Sequence, residues 1–400
     1  MNRNIILFDD KAAFSLLPLT YAKPVAEICM GILSFKERWQ FFTEQSISYL
    51  TQDYLREKYV FSEEKSACYI NAALVVNEEN FKEIEDLAEG ESLFDNNKRL
   101  IAFIPNEIKA YDLEEIQDIA LSLKQKTSLF SNMLLTNPWE IFLWNDKLIK
   151  SDFELLTKNR KSEILAKTNT VYGKYPVFLE EGASANASVF NTEKGPIYIG
   201  KNAEIMEGCL IRGPFAMGEN AVLKMNAKIY GATTLGPGCK VGGEVNNSVF
   251  MANSNKAHDG FLGNAVIGEW CNLGADTNNS NLKNTYEEVK LWSYVEEKFV
   301  KTGQQFCGLI MGDHSKSSIN TMFNTGTVVG FSSNLFGSGF HRNFVPSFSW
   351  GGHSKYSAYQ FDKAIKTAKL VLQRRSLEFT EVDEKIFVEI FKKSAEYRTF

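Results

Sequence analysis

Histidine is the side chain whose ordinary pKa lies closest to physiological pH, so the four histidines of this chain, His258, His314, His341 and His353, are its first candidates for a general base. His258 is set apart by its surroundings. Gly243-Glu244-Val245-Asn246 precedes it with a carboxylate and an amide. Asn272-Leu273-Gly274-Ala275-Asp276-Thr277-Asn278-Asn279-Ser280-Asn281 follows it with a cluster of amides. Such a set can remove a proton with an imidazole while Asn side chains and backbone N–H groups hold a developing oxyanion. No Ser or Cys nucleophile has an obvious base partner, which favours direct transfer over a covalent intermediate. Asn also tolerates left-handed backbone at tight corners, and that alternative applies more to Asn278 and Asn279 than to Asn281.

The element that must position these residues is legible upstream. Ile199, Ile205, Ile211, Met217, Leu223, Ile229, Leu235 and Val241 recur every six residues, trailed by small, Gly- or Asn-containing turns. Neither a helix nor a simple strand sustains that period. A hexapeptide repeat does, and its coils stack into a left-handed parallel β-helix with the aliphatic residue inside the prism. The beat breaks after Val241 and resumes in a shifted phase at Ile267 and Leu273, which predicts a protruding loop over 246–261. Residues 284–306 are too charged for a prism wall and read as a second insertion. Met311, Phe323, Val329 and Leu335 mark a last set of coils.

Outside the repeats, residues 1–165 read as an α/β, Rossmann-like domain. Ile5-Ile6-Leu7-Phe8 is a buried strand ending in Asp9-Asp10, residues 27–42 carry helical periodicity, and 47–50 reads as a strand. Helices are predicted over Leu113 to Lys124 and after Pro138. The β-helix is expected over 166–355, with a first coil near Phe178 to Val189 ahead of the strict beat. The tail, 356–400, should be helical. Phe361, Ile365, Ala368 and Leu372 form one stripe, and Thr380 with Asp383 caps a helix bearing Ile386, Phe387, Ile390 and Phe391.

Composition narrows the function classes. The chain has 400 residues and a net charge of −5, without a basic block, which argues against nucleic acid and anionic membrane as partners. The short apolar run at the N-terminus does not make a signal peptide, and no stretch is long enough to span a bilayer. The six cysteines are scattered without a C-x-x-C pair, so a reducing, cytoplasmic setting is expected. Cys209 and Cys239, near hexapeptide corners, read as small buried hydrophobes.

The segment around His258 resembles the acetyltransferase domain of the bifunctional enzyme that makes UDP-N-acetylglucosamine from glucosamine-1-phosphate. In that family a Lys-Ala-x-His stretch is followed by Tyr-Leu-Gly-Asp, then Asn-Ile-Gly-Ala-Gly-Thr and a further Asn. Here the matching residues are His258, Phe261-Leu262-Gly263-Asn264, Asn272-Leu273-Gly274-Ala275-Asp276-Thr277 and Asn281, and no gap is needed from Glu244 to Asn281. The resemblance implies His258 as general base, Glu244 as its orienting carboxylate, and Asn272 and Asn281 as substrate-positioning amides. It places the backbone near Ala275 against acetyl-CoA and Lys228 where the family has a phosphate-binding Arg. This chain departs at Phe261, where the family has Tyr, and at Asn246, where it has a substrate-binding Lys. A later family Lys corresponds to Lys283 or Lys290. The acetyl acceptor can therefore differ from glucosamine-1-phosphate.

The front of the chain is similar to sugar-nucleotide pyrophosphorylases. Leu16-Leu17-Pro18-Leu19-Thr20-Tyr21-Ala22-Lys23-Pro24-Val25-Ala26-Glu27 resembles their Leu-x-Pro-Leu-Thr-x-x-Arg-Pro-Lys segment, with Val25 at the second, substrate-binding Lys. Their Gly-rich phosphate loop is replaced by Asp9-Asp10-Lys11-Ala12-Ala13-Phe14-Ser15, whose side chains would crowd a phosphate. The resemblance implies that Lys23 meets a phosphate and that Asp9 or Asp10 meets a magnesium ion; a surface turn after a buried strand is the alternative for each acid. Together the likenesses point to a divergent, Bacteroidetes-type form of the bifunctional enzyme. They imply acetyl-CoA, a sugar phosphate and a nucleoside triphosphate (UTP or dTTP, with Mg2+) as small-molecule partners, and a homotrimer built on the β-helix. Four other readings compete: nucleotidyl transfer alone with the β-helix as an oligomerising or regulatory module, acetyl transfer alone with a decayed front domain, a γ-class carbonic anhydrase, and a scaffold with two decayed sites. The spacing of the four histidines does not match the zinc set of the anhydrase.

Overall fold

The computed structural model describes residues 3–61, 67–107 and 111–400. Its contacts form two compact units. The first comprises residues 1–16, 22–28 and 33–137, and the second residues 17–21, 29–32 and 138–400.

The first unit is built on a six-stranded sheet in the order Ile47–Leu50, Asn4–Phe8, Ala67–Asn71, Leu100–Ile104, Glu91–Phe94, Lys124–Thr127. Asn4–Phe8 runs parallel to both of its neighbours, so Asp9, Thr51 and Asn71 gather at the carboxyl ends of adjacent parallel strands. That edge is where open α/β sheets bind ligands. Ile6, Phe8, Leu50, Tyr69, Phe94 and Phe103 pack one core beneath it. The helix expected over 27–42 is reduced to Phe35–Gln40, with a short 3-10 turn at Val25–Glu27 before it. Gly31 at φ +87° interrupts the run, and Ser34 caps the helix in a capping box with Glu37.

In the second unit, the coils make a parallel β-helix with three sheet faces of six, nine and ten strands. Successive rungs over the strict beat are three hexapeptides apart, as Ile197 to Phe215 to Thr233. The beat residues are all buried in one continuous interior cluster. Asn202, Asn220, Asn226 and Asn253 turn corners at positive φ, a conformation that costs Asn less than branched residues.

The first coil begins at Thr170, whose strand pairs with Val189 in parallel, earlier than Phe178. Residues 246–261 do not form a protruding loop. Val249 sits between Thr234 and Val266, and Phe261 lies beside Glu244, so these residues are regular rungs. The beat loses phase because these coils are shorter than three hexapeptides, with Lys228 pairing Glu244 and Lys240 pairing Asn255. Shortened corners shift the sequence phase while the interior column continues.

The insertion at 284–306 contains an antiparallel hairpin of Lys290–Ser293 and Lys298–Lys301. The last coils follow, with Met311, Phe323, Val329 and Leu335 inside the prism. The tail opens with a strand, Lys355–Ala358, antiparallel to Ser349–Gly352, before the helices Phe361–Gln373 and Glu381–Lys393. Thr380 and Asp383 form the expected capping box. The helix Glu140–Thr157 packs with the coils. Asn145 accepts from the Gly31 N–H and donates to the Ala232 carbonyl, so residues 1–165 divide between the two units. All six cysteines are free thiols, and Cys209 and Cys239 are buried.

Candidate functional site

One face of the β-helix collects most of the residues singled out from the sequence. Lys228, Glu244 and Phe261 occupy the same position on three successive rungs, and Tyr230, Asn246 and Gly263 occupy the position beside them. Neighbouring rungs are about 4.8 Å apart, so these side chains are immediate neighbours. Interior residues Ile229, Val245 and Leu262 alternate with them and anchor each rung. The Tyr230 hydroxyl donates to Glu244 Oε1 at 2.5 Å. Burial, reinforced by that carboxylate, pushes the Tyr230 phenol up to about 12, which keeps it protonated as a donor.

His258 is exposed on the corner that leads into this face, between the strands Asn255–Lys256 and Phe261–Gly263. The corner is stacked tightly between its neighbours. A side-chain carbon on Gly243 would lie 2.8 Å from the Asp259 Cα, and one on Gly260 would lie 2.4 Å from the Thr277 carbonyl oxygen, and both residues have positive φ. On the next coil Asp276 N–H donates to the Asp259 carbonyl at 2.9 Å, which places the Ala275 turn directly beside the His258 turn.

The amides divide by role. Asn278 accepts from the Phe261 N–H at 2.7 Å, and Asn279, 2 % exposed, accepts from the Gly263 N–H and donates to its carbonyl. These two are structural. Asn281 donates to Asn264 Oδ1 at 2.7 Å at the end of the Asn246 and Gly263 position, and is half-buried. Asn272 is exposed on the neighbouring face, in line with Asn255 and Lys316. The structure therefore brings Lys228, Glu244, Asn246, Phe261 and Asn281 together along one face, with His258 and Ala275 at its corner and Asn272 around that corner. Beyond Asn281, a cleft of about 640 Å3 opens between the coils and the inserted hairpin, lined by Lys283, Lys290, Phe299, Asn324 and Phe340 among others. The Lys283 ammonium is held by the Glu288 carbonyl at 2.8 Å. Of the remaining histidines, His314 and His341 are buried, His341 against the Tyr356 hydroxyl at 2.7 Å.

The sequence reading gave no role to Tyr230, Asn264 or Lys256. Tyr230 follows a beat residue, so strand alternation alone would have put it on the outer face. Lys256 occupies the interior column between Val241 and Leu273, where the beat calls for an aliphatic residue; the shortened coils had hidden that register.

In the first unit, neither acid lies on a surface turn. Asp9 is 2 % exposed and accepts from the Val25 N–H at 2.9 Å and the Thr51 hydroxyl at 2.6 Å. Burial pushes its carboxyl up to about 7 against those two hydrogen bonds. Asp10 is held by Arg99 at 2.8 and 3.1 Å, by Asn71 Nδ2 at 3.0 Å and by the Ala12 N–H at 2.8 Å; burial is the largest single influence on its carboxyl, but Arg99, Asn71 and the Ala12 N–H together hold it below the usual range. Lys23 is 3 % exposed. A resident magnesium ion does not fit these residues, because the carboxylate oxygens are already committed to internal donors. Among the described residues no group of three His, Cys, Asp or Glu is placed to hold a metal. In the segment that follows the first strand, the Ala12 N–H is taken by the Asp10 carboxylate.

Residues 5–161 match the family model described as sugar nucleotidyl transferase. The bifunctional sugar-1-phosphate nucleotidylyltransferase/acetyltransferase of Sulfurisphaera tokodaii is 32 % identical over 139 residues, 34 % of this chain and 34 % of that protein. The bifunctional protein GlmU of Methanococcus aeolicus is 32 % identical over 90 residues, 22 % of this chain and 21 % of the relative. The corresponding protein of Wolbachia pipientis wMel is 30 % identical over 177 residues, 42 % of this chain and 39 % of the relative. The chain thus spans well under half the length of the curated relatives it matches. Among the described residues no helix is long and apolar enough to cross a membrane.

Proposed function

We propose that this chain, a divergent member of the GlmU-like bifunctional family, transfers an acetyl group from acetyl-CoA to the amine of an amino-sugar-1-phosphate and joins a sugar-1-phosphate to a nucleotide in its front unit. The observation that carries the acetyl-transfer half is the meeting of Lys228, Glu244, Asn246 and Phe261 on adjacent rungs of one face, at whose corner His258 is exposed. In this reading the neutral acceptor amine attacks the thioester carbonyl and His258 takes the amine's proton. The carbonyl oxygen, now an oxyanion, is held by backbone N–H near Ala275, and the tetrahedral species collapses with departure of the CoA thiolate. Tyr230 fixes one oxygen of Glu244, leaving the other to orient the imidazole. Lys228 meets the acceptor's phosphate, and Asn246, Asn272 and Asn281 hold sugar hydroxyls or the acetyl group. Phe261 supplies an apolar wall without the hydroxyl of the family Tyr.

The nucleotidyl half rests on the family match over 5–161. Any magnesium enters with the nucleoside triphosphate as part of the substrate. A homotrimer is supported by apolar side chains left exposed along the corner that carries His258. Met225 is 62 % and Ile319 66 % exposed, on the same corner two coils before and two coils after the His258 turn. Side chains of that size on a line of corners are suited to packing against a neighbouring prism. Incubation with acetyl-CoA and glucosamine-1-phosphate, followed by UTP and magnesium, tests both halves by CoA and pyrophosphate release. His258→Ala should lower kcat for CoA release by roughly 10²–10⁴-fold while pyrophosphate release from N-acetylglucosamine-1-phosphate is retained. Wild-type turnover in that variant would overturn the assignment of the base.

A further inference from the structure

A lysine inside a β-helix is costly, because desolvating an ammonium is paid back only by close partners. Lys256 is 1 % exposed and sits where Val241 and Leu273 mark an aliphatic column. Its ammonium donates to the His258 carbonyl at 2.9 Å and to the Gly242 carbonyl at 3.3 Å. These carbonyls belong to two successive corners of unequal length. The upper one is only Gly242-Gly243 between Val241 and Glu244, and the lower one runs through Ala257-His258-Asp259-Gly260. A short corner stacked on a full one leaves the two turns out of step, and the lysine amine spans them from within.

We propose that Lys256 is a positioning residue for acetyl transfer, tying the His258 corner to the shortened Gly242–Gly243 corner so that the turn bearing the imidazole keeps its place beside the rung of Glu244. This rests on His258 being the base. An aliphatic residue would satisfy the column but leave the His258 turn without its internal tether. Burial lowers the Lys256 ammonium to about 8, and the Asp259 and Asp276 carboxylates, on the same corner and on the next, oppose that shift. The amine is therefore mostly charged at neutral pH and at its strongest as a donor.

The test is Lys256→Met, which keeps an unbranched apolar chain in the column, assayed with acetyl-CoA and glucosamine-1-phosphate. The expected result is a fall in kcat on the order of 10²-fold, the cost of misplacing a reacting group by about 1 Å, with KM for acetyl-CoA changed less than about threefold and the thermal midpoint not lowered. Lys256→Gln, which keeps a donor on a shorter stem, should recover part of the lost kcat. Faster amide hydrogen exchange at residues 258–260 in Lys256→Met, with the rest of the β-helix unchanged, would support the tether directly. Wild-type kcat in Lys256→Met, with His258→Ala inactive, would overturn the tether and leave the base in place. Wild-type kcat in both would overturn the base itself. If Lys256→Met fails to fold, Lys256→Leu, which copies the residue of the next rung in the column, decides: unaltered kcat and unaltered exchange at the corner would sink the proposal.

Discussion

At the scale of single residues, the two acidic side chains after the first strand behave as opposites. Asp10 is bonded so fully that it stays ionised, whereas Asp9 is buried against one N–H and one hydroxyl and is pushed up to about 7. The sign of the consequence follows from linkage. The unfolded Asp9 loses its proton near its ordinary value of 3.8 and the folded one near 7, so the folded state holds the extra proton in between. The stability Asp9 contributes is complete below the lower value and lost as pH rises through the upper one. Asp9→Asn keeps an acceptor for Val25 and lets the Thr51 hydroxyl accept from the new amide. It should match wild type at about pH 3 and exceed it by a few kcal/mol, about 4 at most, by about pH 8. Denaturant melts at the two pH values check this; an advantage that does not grow with pH would mean the carboxyl is ionised without penalty.

At the scale of elements, the insertion at 284–306 cuts one face of the β-helix. The six-stranded sheet ends at Phe261–Gly263, and Asn278–Asn279 pairs onward with Met322–Phe323 instead. The break is bridged by side chains, with Asn278 and Asn279 supplying to Phe261 and Gly263 the hydrogen bonds that a backbone rung would have made. Asn279→Ala should therefore cost roughly 2–4 kcal/mol, because it strands the buried N–H and carbonyl of Gly263. Thermal melts would register it, with Asn278→Ala costing less because that side chain bonds only one backbone group of the neighbouring rung and is partly exposed. Equal, negligible losses would mean the face closes without them. The same splice leads directly from Asn281 into the insertion, whose hairpin borders the cleft lined by Ser280, Leu282 and Lys283.

At the scale of the whole molecule, the corner that carries His258 also exposes the large apolar side chains Met225 and Ile319, two coils to either side. We expect a homotrimer. Light scattering at micromolar concentration should give three times the mass of the 45.2 kDa chain. Met225→Asp or Ile319→Asp, which charges the corner without touching the prism interior, should shift the population toward monomer and reduce acetyl transfer together. A stable wild-type monomer with full acetyl-transfer activity would remove both the assembly and its part in the site.

The sequence by itself determined what repeats and what reacts. The six-residue beat specified a β-helix because its interior accepts only the aliphatic residue of each hexapeptide. The Glu244 to Asn281 segment named a base and its amides by their types and order, and Thr380 with Asp383 announced a helix start by local chemistry alone. What it could not supply was register. Shortened corners between Lys228 and Phe261 look in sequence like a broken repeat, and only stacking reveals that Lys256 continues the inner column. Partners distant in sequence were equally hidden, since Arg99 neutralises Asp10 and Tyr230 fixes Glu244 through chain reversals that no local pattern encodes. Local periodicity is written in neighbouring residues, whereas which coil lies on which is settled by the packing of the prism, and that decided which lysine sits beneath His258.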